Sequence, residues 1–119
     1  MTGKITRMIP YAFDMNKGSW QPGPYAGVEI MVLHKDTTTG GMTILRKFKA
    51  GTTVPAHIHP QADESVYILE GQWHEENVVY GPGTFLFVAK GQQHGPHYVP
   101  AEVVSLTIFS GPLTIINAA

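Results

Sequence analysis

Three of the six histidines in this chain are spaced so that their side chains could share one metal ion. His57 and His59 are two residues apart, and in a β-strand that period places both imidazoles on one face. Glu64 follows after a short segment, and His94 comes about thirty residues later. Three imidazoles and a carboxylate leave coordination positions open on a divalent ion, as redox-active and Lewis-acid sites require. The pattern therefore predicts one divalent ion per chain, held by His57, His59 and His94 with or without Glu64.

The roles of Glu64 and of its neighbours need separate consideration, and two alternatives stay open for the carboxylate of Glu64. Glu64 is either a fourth ligand or an acid beside a metal held by the histidines alone, where it could act as a catalytic base. Asp63 is its neighbour, and a register shift of one residue would exchange the two. His97 has the opposite strand parity to His94, so we expect it to face away from the metal. His97 and Tyr98 are candidates to orient His94 or a substrate oxygen.

Composition excludes several classes of partner. The net charge is −1, and the basic residues form only one small cluster, at residues 46–49, which argues against nucleic acid. We expect that cluster to be the solvated side of a strand, with Ile44 and Phe48 facing the core. Without cysteine, any metal must be held by nitrogen and oxygen. No apolar run is long enough to span a membrane or resembles a signal peptide, so we expect a soluble, cytoplasmic protein.

Short β-rich runs bounded by glycine and proline recur along the chain, and none shows helical periodicity. The predicted strands are 28–34, 42–49, 54–59, 65–70, 73–80 (with a turn at 75–77), 84–88, 94–99, 102–110 and 113–116. Many short strands at near-even spacing predict an all-β sandwich or barrel of one domain. Residues 1–27 form an irregular arm in this interpretation, and residues 28–119 form the barrel.

Two motifs resemble those of the cupin superfamily. The first, with Pro55 as commonly found, matches at Gly51, His57, His59, Glu64 and Gly71. The second matches at Gly83, Gly91 and His94, but Ala89 replaces the usual proline and Tyr98 the usual asparagine. Neither departure affects a residue that binds metal in the family. The resemblance covers residues 51–98 and implies a double-stranded β-helix, or jelly roll. It also implies that the three histidines are ligands and that, in several members with oxygenase chemistry, the glutamate is one too.

Three further segments, 69–75, 80–85 and 110–113, resemble a smaller group of cupins. These are the compact cupins related to acetylacetone-cleaving and dihydroxyacetophenone dioxygenases, and the cupin domain of anti-sigma factors. The resemblance implies an Fe(II) dioxygenase that cleaves a carbon–carbon bond next to a carbonyl in a small molecule, a β-diketone or an aryl hydroxyketone. Two alternatives remain: an isomerase, cyclase or lyase that uses the ion as a Lewis acid, and a non-catalytic sensor. Zinc, manganese or nickel could replace iron in such a site.

The segment 85–88 is apolar on both strand faces, which predicts burial on both sides and hence a contact between subunits. The proline-containing arm before residue 28 is also long for so small a core. We therefore expect a homodimer in which the arm crosses between the subunits.

Overall fold

The structure is a computed structural model that describes residues 9–118, and these residues confirm the predicted all-β jelly roll. The described elements, in chain order, are a 3₁₀ helix Met15–Lys17 and the strands β1 Gln21–Pro22, β2 Val28–Lys35, β3 Met42–Phe48, β4 Thr53–Val54, β5 His57–Ile58, β6 Glu64–Glu70, β7 Trp73–Glu75, β8 Val78–Tyr80, β9 Phe85–Val88, β10 Gln93–His94, β11 His97–Tyr98, β12 Val103–Phe109 and β13 Ile116–Asn117. None of the described residues forms a helix long and apolar enough to cross a membrane.

The strands form one large antiparallel sheet and two smaller ones. The large sheet has the order β1-β2-β3-β12-β6-β9, and the smaller sheets have the orders β10-β5-β13 and β4-β11-β7-β8. Apolar side chains from the large sheet, such as Phe48 and Ile68, meet Trp73 of the four-stranded sheet and Val99, which follows β11, in the main core. In the three-stranded sheet the register pairs His57 directly with His94. Pairing of these strands therefore brings together residues that lie far apart in the sequence.

The inward faces of β3, β6 and β12 follow the two-residue period of a strand. On β3, Ile44 and Phe48 are fully buried, as predicted. Arg46 shares their parity and its side chain is only 12% exposed, so the expectation that the whole basic cluster is solvated is wrong. Small buried residues on the intervening strand β12, Ser105 and Thr107, leave room for this long side chain.

Two predicted strands are each divided between different sheets. Segment 54–59 forms parts of β4 and β5, which are separated by Pro55 and Ala56. Segment 94–99 forms β10 and β11, which are separated by Gly95 and Pro96. Proline has no N–H to donate to a strand ladder, so the pairing ends there and the chain joins another sheet. Alternating parity therefore does not continue from His94 to the residues of β11.

The predicted turn within 73–80 is confirmed as the hairpin between β7 and β8. Its two central residues, Glu76 and Asn77, have φ values of 51° and 65°. Positive φ at both positions matches the right-handed twist of the strands that a two-residue turn connects. The hairpin carries Glu75, whose carboxylate accepts hydrogen bonds from Trp73 Nε1 at 3.0 Å and from the Gly95 N–H at 2.8 Å.

The described part of the arm, residues 9–27, is largely exposed and adds β1 to the edge of the large sheet. Side chains near its start and middle also contact the barrel. The Tyr11 hydroxyl donates to the Leu33 carbonyl, and Lys47 Nζ lies 4.3 Å from the centre of the Trp20 ring. Residues 1–8 of the predicted arm lie outside the described residues.

Candidate metal centre

The four residues predicted to bind metal converge between the sheets. His57 lies on β5 and His59 directly after it, Glu64 begins β6, and His94 ends β10. One potential ligand atom from each residue lies within 4.8 Å of the others. His57, His59 and Glu64 are 3%, 4% and 0% exposed, and His94 is half-buried. Four potential ligands so close together in the barrel interior could hold one metal ion.

Hydrogen bonds to carbonyl groups orient two of the imidazoles. His57 Nδ1 lies 2.7 Å from the Pro55 oxygen, and His59 Nδ1 lies 3.0 Å from the Thr114 oxygen. A carbonyl oxygen only accepts, so each Nδ1 must carry the hydrogen, and in the neutral ring Nε2 then keeps a free lone pair. Metal-binding histidines in proteins are held in this way by their second ring nitrogen.

The carboxylate of Glu64 lies close to the Nε2 atoms of two of the histidines. Its Oε1 lies 3.0 Å from His59 Nε2 and 3.4 Å from His94 Nε2. Neither contact has hydrogen-bond geometry, and all three atoms are buried without a hydrogen-bond partner. A carboxylate oxygen and a neutral imidazole nitrogen that approach so closely repel each other unless a cation lies between them. The unsatisfied atoms therefore fit a divalent ion.

Arg46 is the important residue that sequence reasoning missed. Its guanidinium donates to Glu64 Oε2 at 2.7 Å, leaving Oε1 to face the histidines. Burial acts to raise the pKa of Glu64, but the charge of Arg46 opposes it and holds that pKa well below its usual range. An acid held ionised in this way is a weak base, so the arrangement favours Glu64 as a ligand. Arg46 has the same strand parity as Ile44 and Phe48, and this parity is the sequence signal that its side chain faces the interior.

Asp63 does not belong to the cluster. Its Oδ1 accepts a hydrogen bond from the Lys90 N–H at 2.7 Å, in the loop between β9 and β10. Of the two neighbouring acids, the structure therefore brings only Glu64 to the histidines.

His97 and Tyr98 point in opposite directions from β11. The expectation that His97 faces away is wrong, because the residue is 2% exposed and borders the same cavity as His57 and His94. Its ring stacks on Trp73 with the centres 3.8 Å apart. Burial first, and then the charge of Arg46, lower the pKa of His97 to about 3, so the ring is neutral. Tyr98 is 43% exposed and is not brought to the cluster.

Two spaces border the cluster. The inner cavity has a volume of about 20 Å³, and its polar lining consists of His57, His59, His94, His97 and Arg46, among apolar side chains. This volume holds about one water-sized group. The outer cleft, between β6, the β7–β8 hairpin, β9 and β10, has a volume of about 240 Å³, and Glu64 and His94 form part of its wall. The cleft is therefore the wider approach to the cluster.

The arm and the C-terminal segment cover the inner cavity. Tyr25 packs on His57 with the ring centres 5.7 Å apart, and its hydroxyl donates to Asn117 Oδ1 at 2.8 Å. Burial and the nearby charge of Glu64 raise the pKa of Tyr25. Leu113 borders the cavity from the C-terminal side. Both ends of the described chain thus contribute to the closed side of the site.

The jelly roll and the interior cluster of three histidines and one glutamate define a cupin. Comparison with protein families makes the assignment specific, since the model of the ChrR cupin-like domain matches residues 10–114. The chain belongs to that family. A comparison with curated proteins gave no match.

Solved structures of diverse function share this fold. An acetylacetone dioxygenase from Acinetobacter johnsonii has a TM-score of 0.72 at 22% identity, covering 98% of this chain and 83% of its own. The polyketide cyclase RemF from Streptomyces resistomycificus has a TM-score of 0.74 at 16% identity, covering 93% and 87%. The complex of Rhodobacter sphaeroides SigE with the anti-sigma ChrR has a TM-score of 0.64 at 20% identity, covering 81% of this chain and 51% of that one. At these identities the likeness establishes the fold alone.

Proposed function

We propose that this protein is a metal-dependent dioxygenase that cleaves a carbon–carbon bond next to a carbonyl, in a β-diketone or an aryl hydroxyketone. The observation that carries the metal dependence is the set of buried, unpartnered nitrogen and oxygen atoms around one point: His59 Nε2, His94 Nε2 and Glu64 Oε1. The fold shared with an acetylacetone dioxygenase supports the reaction class.

When bound, one Fe(II) ion would supply Lewis acidity toward substrate oxygens and redox chemistry toward dioxygen. His57, His59 and His94 would hold it, with Glu64 Oε1 as the fourth ligand. The carbonyl oxygens of Pro55 and Thr114 keep two of the imidazoles in the required tautomer. Arg46 neutralises the charge of Glu64, so the charge of a divalent ion would remain uncompensated in a buried site. That imbalance favours a substrate that binds as an anion, as an enolate does.

The test is oxygen consumption by the purified protein after reconstitution with Fe(II), using a panel of β-diketones and hydroxyketones. We expect oxygen uptake in proportion to substrate consumed. Glu64→Gln should keep much of the metal, because three histidines remain, but lose turnover. Asp63→Asn is the matched control, since it removes the neighbouring acid that hydrogen-bonds Lys90 outside the cluster, and it should keep turnover. Full activity in Glu64→Gln would make that residue a bystander.

Two other functions are supported by particular comparisons. The fold shared with a polyketide cyclase supports a Lewis-acid enzyme, for which substrate would be converted without oxygen uptake. Membership of the ChrR cupin-like family supports a non-catalytic sensor of a metal or small ligand. In that case the protein would bind zinc or another divalent ion tightly and convert none of the panel.

We also propose that two copies of the chain form a dimer. Strand β9 is the last strand of the large sheet, so one of its edges is unpaired within the described part of the chain. Phe85 and Phe87 on this strand are 60% and 56% exposed. An exposed apolar edge strand is a surface that a second sheet edge can cover. The exposed apolar residues of the arm, including Tyr11 and Phe13, support the crossing of the arm to the second copy.

A further inference from the structure

Polar atoms outside the four-residue cluster line the inner cavity without a hydrogen-bond partner. Both ring nitrogens of His97 and the Nε of Arg46 are buried without a hydrogen-bond partner, and both residues border this cavity. Such groups are rare in folded proteins, because a buried donor or acceptor left unpaired is destabilising. His97 is also absent from the group whose ligand atoms converge within 4.8 Å. Its polarity therefore needs another explanation.

Packing does not explain a histidine at this position. The ring of His97 stacks on Trp73 at 3.8 Å and meets the edge of Phe48 at 5.3 Å. An apolar ring would fill this aromatic environment without any unpaired nitrogen. The two unpaired nitrogens of this imidazole therefore indicate a ligand that uses them for hydrogen bonding.

The cavity limits what that ligand can be. Its volume of about 20 Å³ admits about one oxygen-sized group at a time. Arg46 Nε can only donate, and a neutral His97 can donate through one nitrogen. Since Arg46 already balances Glu64, a bound divalent ion would leave the site positively charged. An oxygen that carries negative charge can accept hydrogen bonds from Arg46 and His97, and it also compensates the positive charge of the site.

We propose that His97, together with the Nε–H of Arg46, binds a negatively charged oxygen of a small carboxylate or enolate ligand in the inner cavity, beside the metal centre. This makes His97 a specificity-determining residue for anionic oxygen ligands. The inference rests on the proposed metal-dependent function and names the substrate class of the same site.

The test uses the full chain loaded with zinc, which cannot turn over substrate with oxygen, and formate as the smallest carboxylate probe. Calorimetry gives the affinity, and nitrogen NMR of protein labelled at histidine reports whether the ring of His97 receives the probe. We expect a saturable change in the His97 signals. His97→Phe should keep its zinc but bind formate about tenfold more weakly, whereas His97→Gln, which keeps a donor, should lose less than about threefold. His34→Phe, at the exposed end of β2, is the matched control and should bind normally.

A second titration with acetylacetone distinguishes an enolate from a carboxylate, because the ligand that loses more affinity in His97→Phe is the one whose oxygen this residue holds. Unchanged affinity of His97→Phe for both probes, with zinc retained, would overturn this inference and leave the metal site standing. Absence of any change in the wild-type His97 signals would overturn it equally and needs no variant. Failure of the wild type to bind zinc would instead overturn the proposed function itself, and with it this inference.

Discussion

Replacement of Arg46 by methionine tests the electrostatic design of the centre. Methionine replaces the unbranched aliphatic part of the arginine side chain but removes the charge next to Glu64. The two side chains are 12% and 1% exposed and their closest atoms lie 2.7 Å apart, so the pair is buried. Removal of one partner from a buried ion pair costs about 3–5 kcal/mol, because the remaining charge is left without compensation. We expect a loss of this size in the free energy of unfolding of the metal-free protein.

Metal binding should reduce that loss. A divalent ion beside Glu64 supplies the positive charge that the guanidinium no longer provides, so zinc should stabilise Arg46→Met more than it stabilises the wild type. For a domain of this size, about 4 °C of melting temperature corresponds to 1 kcal/mol, and the metal-free variant should melt roughly 12–20 °C lower. With zinc bound to both proteins, we expect less than half of this difference in melting temperature between variant and wild type to remain.

The assay is urea unfolding followed by circular dichroism, with zinc and with a chelator. Lys47→Met is the matched control, because it removes the adjacent basic charge from the outer face, where the ammonium lies against Trp20. We expect it to cost at most about 1 kcal/mol, as is usual for exposed charges. The reasoning would be refuted if metal-free Arg46→Met were as stable as this control. It would also be refuted if the variant lost the same free energy of unfolding with zinc as with the chelator.

Three other outcomes are expected. Elemental analysis should find about one divalent ion per wild-type chain and much less in His57→Ala and His94→Ala; full metal content in both variants would reject the assigned ligands. In the unfolded chain His97 takes up a proton below about pH 6.5, whereas in the folded protein its pKa is about 3. As the pH falls from 6.5 to 3, the free energy of unfolding of the metal-free protein should therefore decrease by about 1.4 kcal/mol per pH unit because of this residue alone. His97→Phe should show a correspondingly shallower pH dependence of unfolding, and identical slopes would contradict the assignment. Light scattering should find a dimer at micromolar concentration that Phe87→Glu weakens, and a monomeric wild type would end the dimer proposal.

Much of the fold and of the candidate metal centre could be predicted from the sequence, because both depend on local patterns. Short β-rich runs separated by glycine and proline limit the chain to a β-sandwich or barrel whatever the remaining residues are. A two-residue period places His57 and His59 on one face, and the spacing to Glu64 and His94 supplies two further donors. All four converge in the structure as that pattern predicts.

The electrostatic partner and the lining of the cavity were decided only by the tertiary structure. Arg46 reaches Glu64 across β12, a neighbour relation that depends on the order of strands in the large sheet. His97 turns inward because the chain changes sheets between His94 and β11, which interrupts the parity on which the sequence prediction relied. Periodicity describes side chains within one continuous strand, whereas strand order and breaks between sheets are set by long-range packing of the whole barrel.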